Sequence, residues 1–182
     1  MNEKNGMNGQ VNSAAVTGTN AGQRGDSAPA DVALAFVEQF WNGGDLACTA
    51  AYLADDYRDH AYEPGDAAGL RQTAEALWRA FPDQRSEVES ATASGDRVVV
   101  RLRMTGTHLG DFRGTAATGQ PIDVKVYREY RIEEGRIAEH WALLDTASLL
   151  RQIGAQLHEH QACRVGQGPG QGQGGDQGLV QA

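Results

Sequence analysis

The spacing of the apolar residues changes once along this chain, at Pro82, and this change limits the folds that the chain can adopt. Before Pro82 the apolar residues recur every three to four positions, which is typical of amphipathic helices. After Pro82 they alternate with polar residues, which is typical of strands that bury one face. Helices followed by strands, and not alternating with them, predict an α+β fold.

Three helices are predicted before Pro82. The first covers Asp31 to Asn42, the second is short and begins after the capping residue Asp45, and the third covers Ala67 to Phe81 and stops at the proline. The segment DDYRDHAYEPG between the second and third helices is too polar for a core helix and is expected to end in a turn.

Four antiparallel strands and one short helix are predicted after Pro82. The strands are Glu87 to Ser94, Val98 to His108, Asp123 to Glu133 and Arg136 to Leu144, and the helix is Thr146 to Gln152. A strongly curved antiparallel sheet with helices across its concave face forms a cone. Such a cone is closed at one end and leaves a cavity at the other, where a small molecule can bind.

The folded domain is expected to span residues 30–160. Residues 1–29 and the Gly/Gln-rich residues 161–182 hold too few apolar side chains to offset the entropy of ordering, so both tails are predicted to be disordered. The tails contribute nothing to the net charge of −8. An acidic folded part argues against nucleic acid and anionic membrane as partners.

Location is predicted from what the sequence lacks. It contains no apolar run of bilayer length and no apolar stretch near the N-terminus that resembles a secretory signal. Of the two cysteines, Cys163 lies in a tail, so no structural disulfide is expected. The cytoplasm is therefore the predicted location.

Five segments along the chain carry a resemblance to a known family. They are, in order, FVEQFWNGGD, YLADDYRDH, FPD, GDRVVVRLRMTGTHLGDFRG and YRIEEGRIAEHWALLDTASLLRQIG. Together they resemble the SnoaL-like polyketide cyclase (ester cyclase) family, which has the fold of nuclear transport factor 2. The resemblance runs from about Val32 to Gly154. It implies a cone-shaped domain, a homodimer, and intramolecular aldol ring closure in natural-product biosynthesis without metal or cofactor.

The resemblance places the family's acid/base carboxylate two residues after the histidine of GRIAEH, and this position is Ala142 here. His140, on the same predicted face and roughly 7 Å away along the strand, can take over proton transfer near neutral pH. Arg128 and Tyr130, on the neighbouring strand, are predicted to stabilise the developing oxyanion. A buried Arg128 requires a carboxylate, either of the protein or of the ligand.

Asp145 is the third catalytic candidate. It could orient His140 if the chain turns at the end of the last strand. The alternative is that Asp145 caps the helix that begins at Thr146.

Further side chains are predicted to bind the substrate. His60 ends the segment that the family places along the rim or inner wall of the pocket, and His108 ends the long strand. Phe40, Trp78, Tyr130 and Ala142 complete this set. Each has a structural alternative, as a core side chain or as a histidine bonded to a neighbouring group.

The resulting hypothesis is a cofactor-independent cyclase or isomerase that acts by general acid/base catalysis on a small hydrophobic, polyketide-like substrate. Two alternatives stay open. One is a hydratase, hydroxylation-assisting or other ring-forming member of the same fold. The other is a non-catalytic protein that binds a hydrophobic ligand. This alternative stays open because position 142 holds an alanine in place of the family's carboxylate.

Overall fold

Residues 28–155 are described by the computed structural model of this chain. The disorder predicted for the two tails concerns residues outside this range, as does the predicted domain end at residue 160. The described part is an α+β structure with a five-stranded sheet, which confirms the predicted fold class.

The described helices and strands follow one another in the predicted order, with one added strand. The α-helices are α1 (Pro29–Phe36), α2 (Thr49–Tyr52), α3 (Ala67–Ala80) and α4 (Thr146–Gln152). The strands are β1 (Leu53–Asp59), β2 (Arg85–Ser94), β3 (Arg97–Thr107), β4 (Pro121–Glu133) and β5 (Arg136–Leu144). The predicted second helix is a turn of 3-10 helix, Leu46–Cys48, followed by α2.

The sheet is curved and unclosed, with the strand order β1-β5-β4-β3-β2. Strands β2 to β5 pair antiparallel, as predicted, whereas β1 joins the edge of β5 in parallel. The sequence prediction lacked β1, because this strand carries few apolar residues. Its inward positions include Tyr57 and Asp59, which are buried, and Arg58 between them is exposed.

The first predicted helix is not uniform. After α1 the chain continues as a π-helical turn, Val37–Asn42. Two successive aromatic side chains, Phe40 and Trp41, are both buried in this turn, each four residues after a buried residue of the same face, Phe36 or Val37.

The inner face of the sheet follows the predicted alternation on β3 and β4. Val98, Val100, Leu102 and Met104 are all buried, as are Val126, Arg128 and Tyr130. Helices α1 and α3 cover this face, so the core lies between the helices and the concave side of the sheet.

A β-bulge corrects the predicted alternation on β5. Arg131 pairs with Glu139, but the next residue of β4, Ile132, pairs with Ile137, so Ala138 has no cross-strand partner. Ile137 consequently lies in the core, and Ala138 borders a polar groove beside Glu139 on the outer side. After the bulge, His140 and Ala142 face inward as predicted.

The outer face of the sheet carries ion pairs. Arg97 pairs with Glu129, and Arg103 donates two hydrogen bonds to Asp123. Within residues 28–155, no helix combines the length and the apolar composition needed to cross a bilayer.

The packing of α3 gives a first prediction. In most helix interiors, replacing glycine by alanine stabilises the fold by roughly 1 kcal/mol. At Gly69, however, a Cβ atom would overlap the carbonyl oxygen of Pro64. We therefore expect Gly69→Ala to lower the free energy of unfolding, measured in urea, by about 1–3 kcal/mol.

Glu75→Ala, on the exposed side of the same helix, is the control and should stay within about 0.5 kcal/mol of the wild type. A stabilised Gly69→Ala protein would contradict the close packing of α3 on the turn at Pro64.

Candidate functional site

A cavity of about 880 Å³ lies between α3 and the inner face of the sheet. Its apolar wall includes Leu77 from α3, Met104 from β3 and Val126 from β4. Trp41 and Tyr62 add aromatic surface. This volume is in the range of pockets that enclose a drug-sized organic molecule.

Arg128 is the buried cation of the cavity wall, with 4% of its surface exposed. The guanidinium carbon lies 3.5 Å from the centre of the Trp41 ring, which covers one face of the group. Nη1 donates to the hydroxyl of Tyr62 at 3.1 Å and contacts Nε2 of His140 at 3.2 Å. The hydrogen bonds of Arg128 within the described residues are therefore made to neutral groups.

His140 connects this cation to a buried carboxylate. Its Nδ1 lies 3.1 Å from Oδ2 of Asp59. Arginine can only donate hydrogen bonds, so Nε2 of His140 must accept from Arg128. The proton of the neutral imidazole is then assigned to Nδ1, which donates to Asp59.

Asp59 is held by four donors. Its Oδ2 also accepts from the hydroxyl of Tyr57 at 2.7 Å. Its Oδ1 accepts from the backbone N–H groups of Ala61 and Tyr62, at 2.8 and 3.1 Å. These last two bonds shape the turn that presents the Tyr62 side chain to the cavity.

Burial and charge set the protonation states of this cluster. Burial lowers the pKa of His140 below its ordinary value of 6.5, and the positive charge of Arg128 adds to the shift, against the hydrogen bond to Asp59. Burial opposes ionisation of Asp59, but hydrogen bonds from His140 and Tyr57 hold the pKa of Asp59 below 3.8. Burial raises the pKa of Tyr57 far above 10, and the charge of Asp59 raises it further. At neutral pH the imidazole is therefore neutral and Asp59 is ionised.

The structure brings together three predicted residues. Arg128 and Ala142 are cross-strand partners and both line the cavity. His140 lies next to them but is 1% exposed, and the described cavity wall does not include it. Arg128 and Tyr62 separate His140 from the cavity, which corrects the expectation that His140 itself faces the ligand.

Asp145 does not orient His140. It is exposed and accepts a hydrogen bond from the backbone N–H of Ser148 at 3.0 Å, so it caps α4. The carboxylate that contacts His140 is Asp59, from β1.

His60, predicted on the rim or inner wall of the pocket, does not line the described cavity, although the next two residues, Ala61 and Tyr62, do. The ring of His60 stacks on Trp141 with 4.5 Å between ring centres, and Nε2 lies 2.7 Å from Glu139. Because β1 is extended, His60 and Asp59 point to opposite sides, and it is Asp59 that points inward.

The remaining predicted substrate-binding residues are packed in or near the core, away from the cavity wall. Tyr130 stacks behind His140, with 5.1 Å between ring centres. Phe40 is buried against Trp78, which donates its indole N–H to the carbonyl of Trp41. His108 is buried, and its Nδ1 lies 3.0 Å from Oγ1 of Thr118. None of these four lines the cavity within the described residues.

Three residues of the site were missed from the sequence: Asp59, Tyr62 and Trp41. The signal for Asp59 was the alternation of Tyr57, Arg58 and Asp59, which marks a strand once this polar segment is placed in the sheet. For Trp41 the signal was its spacing of four residues from Val37, which places both on the buried face of the first helix. Among residues 28–155, no cluster of three or more His, Cys, Asp or Glu side chains could hold a metal ion.

Comparisons with known proteins agree with the observed fold. A sequence profile of the SnoaL-like polyketide cyclase family matches residues 31–153. The chain is 31% identical to AclR, a putative hydroxylase from Streptomyces galilaeus, with a TM-score of 0.63 over 69% of this chain and 95% of that one. It is 30% identical to IdmH, a putative polyketide cyclase from Streptomyces antibioticus, with a TM-score of 0.64 over 71% and 100%.

A putative polyketide cyclase from Bacillus cereus is 27% identical, with a TM-score of 0.59 over 68% of this chain and 78% of that one. No match was found among curated protein sequences.

The shifted pKa of His140 predicts how stability depends on pH. The unfolded chain binds the histidine proton near pH 6.5, whereas the folded protein binds it only at lower pH. Stability should therefore fall as the pH drops below 6.5, by at most about 1.4 kcal/mol per pH unit for one proton. His140→Gln, which cannot titrate, should show a shallower slope of thermal midpoint against pH between 7.5 and 5.5.

Tyr130→Phe is the matched control, because it alters a ring stacked on the same imidazole but removes no group that titrates in this range. Equal slopes in the wild type and in His140→Gln would show that His140 is not buried in its neutral form.

Proposed function

Because this chain belongs to the SnoaL-like polyketide cyclase family, we propose that it closes a ring in a polyketide-like substrate by intramolecular attack of an enolate carbon on a carbonyl group. The observation that carries this proposal is the buried cation Arg128 beside the hydroxyl of Tyr62 on the cavity wall. Donors held in a site with little water stabilise a developing oxyanion strongly.

The cavity supports a planar, largely apolar substrate. Apart from Arg128 and the polar side chains toward the mouth, its walls include aliphatic side chains and the rings of Trp41 and Tyr62. Flat conjugated ring systems pack well against aromatic side chains. The substrate oxygen that becomes the enolate oxygen would accept hydrogen bonds from Nη1 of Arg128 and from the Tyr62 hydroxyl.

His140 is the proposed base. When the substrate oxygen takes over the N–H of Arg128 and the side chains of Arg128 and Tyr62 shift toward it, the lone pair of His140 Nε2 is released and opened to the cavity, where it accepts the proton from the α-carbon. The enolate carbon then attacks the second carbonyl, and the new alkoxide takes the proton back from Nε2. Asp59 keeps the imidazole in the tautomer that exposes the Nε2 lone pair.

His140 is assigned as the base because position 142 holds an alanine and not a carboxylate. In the family resemblance, this position of the last strand holds the acid/base, but here a methyl group faces Arg128 across the strands. Nε2 of His140 lies 3.2 Å from Nη1 of Arg128 on the inner face, and an imidazole is suited to proton transfer near neutral pH. Its lowered pKa keeps the base form available at neutral pH.

A second candidate function is assistance to a hydroxylation reaction in which an enolate of the substrate is formed but no ring is closed. The 31% identity to AclR, a putative hydroxylase, favours it. Both functions require enolate formation at Arg128, and they differ in whether a carbon–carbon bond forms within the substrate.

Enolate formation can be tested without the natural substrate. We expect the wild type to accelerate α-proton exchange of ethyl 3-(2-naphthyl)-3-oxopropanoate in D₂O, followed by proton NMR. Arg128→Met should reduce this acceleration about 10²- to 10³-fold, as the loss of an oxyanion donor does. His140→Gln should reduce it about 10²- to 10⁴-fold, as the loss of a general base does.

The pH profile of the exchange rate tests the role of His140 as the base. The wild-type rate should fall with an acid limb below pH 6.5, because protonation of His140 removes the base. Arg103→Met, which removes an arginine on the outer face, should leave the rate unchanged. Wild-type exchange no faster than in buffer would refute enolisation and leave binding of a hydrophobic ligand as the function.

A further inference from the structure

We propose that the cavity selects a ligand that carries an ionised oxygen acid, a carboxylate or an ionised enol, on a planar apolar skeleton, and that Arg128 binds this anion. The inference concerns the same cavity as the proposed function and rests on it for the class of skeleton. Beyond the proposed function, it specifies that the ligand already carries a negative charge when it binds, before the enzyme removes a proton from carbon.

The first support is that Arg128 contacts no counter-ion in the part of the chain that the structure describes. Among residues 28–155, no carboxylate forms an ion pair with this guanidinium, and the acidic side chain of β5 that faces the neighbouring strand, Glu139, pairs with Arg131 instead. The Nε atom of Arg128 is buried and has no hydrogen-bond partner among the described residues. A buried ion without an opposite charge is strongly disfavoured.

Asp59 does not fill this role. The imidazole of His140 lies between the two charges, and the four donors described above already occupy the oxygens of Asp59. Cation–π contact with Trp41 compensates part of the hydration that Arg128 has lost, but it supplies no negative charge.

The second support is the charge balance of the cavity wall. At the mouth, Glu63 and Asp111 balance Arg79 and Arg113. Among the described residues that line the cavity, the charge of Arg128 is the one that is not balanced. The residue opposite Arg128 on β5 is Ala142, which is uncharged. The wall therefore carries one excess positive charge, placed among apolar and aromatic side chains. The planar guanidinium of Arg128 can donate two parallel hydrogen bonds to the two oxygens of an oxygen acid.

The test is binding, measured by isothermal titration calorimetry at pH 7.5 with two matched pairs of probes. The first pair is anthracene-2-carboxylate and anthracene-2-carboxamide. The second pair is 2-hydroxy-1,4-naphthoquinone, which is an ionised enol at this pH, and 2-methoxy-1,4-naphthoquinone. In at least one pair the anion should bind the wild type about 10-fold or more tightly than its neutral partner, the size of one charge-assisted hydrogen bond.

Two variants assign the preference to Arg128. In Arg128→Met the ratio of the two affinities should fall to about one, and Arg103→Met should keep the wild-type ratio. Ala142→Asp places a carboxylate across the strands from Arg128 and should also abolish the preference, whereas Ala142→Asn, of the same size and uncharged, should retain it. The Ala142 pair covers the case in which Arg128→Met fails to fold.

Equal affinities for the anion and its neutral partner in both wild-type pairs would overturn the proposal. So would a preference that persists in folded Arg128→Met or in Ala142→Asp. The pair that shows the larger ratio identifies the source of the charge, carboxylate or enol. Because no turnover is measured, anion preference without α-proton exchange would refute the proposed reaction alone, and exchange without anion preference would refute this inference alone.

Discussion

The carboxylate of Asp59 is the group on which the rest of the site depends. It links strand β1 to the ring of His140, and it accepts the two backbone N–H groups that begin the turn toward Tyr62. Tyr62 and His140 in turn contact the same nitrogen of Arg128. One buried negative charge therefore positions a tyrosine, a histidine and an arginine from three parts of the chain. Removing one side chain from such a buried network leaves its neighbours without their hydrogen bonds, so its members act as a unit.

Much of the fold could be predicted from alternation and turn residues. The pattern of β3 and β4 is regular enough to place Val100, Arg128 and Tyr130 on the inner face without a structure. Strand β1 could not be found in this way, because its inward side chains are a tyrosine and an aspartate that are buried only as a hydrogen-bonded pair. A polar residue buried with a polar partner leaves no apolar signal in the sequence.

The site was only partly predictable for a related reason. Arg128, His140 and Ala142 could be grouped from strand register, but the identity of the carboxylate beside His140 required the position of β1 at the sheet edge. Asp145 was a reasonable candidate by sequence distance, and its bond to Ser148 shows that local capping takes precedence at a helix start. In the resulting site Arg128 lies on the cavity wall, and Asp59 lies behind it, separated from it by the imidazole of His140.

The bulge at Ala138 has a consequence for comparing this strand with others. Ile137 and His140 both face inward although they are three residues apart, and strict alternation allows only even spacings on one face. The three-residue spacing between the inward-facing Ile137 and His140 is therefore a direct consequence of the bulge. An alignment that omits this extra residue would exchange the inward and outward positions of the strand. It would then assign the role of His140 to Glu139 or Trp141. Positions on this strand can therefore be matched to inward or outward faces only when the extra residue is counted.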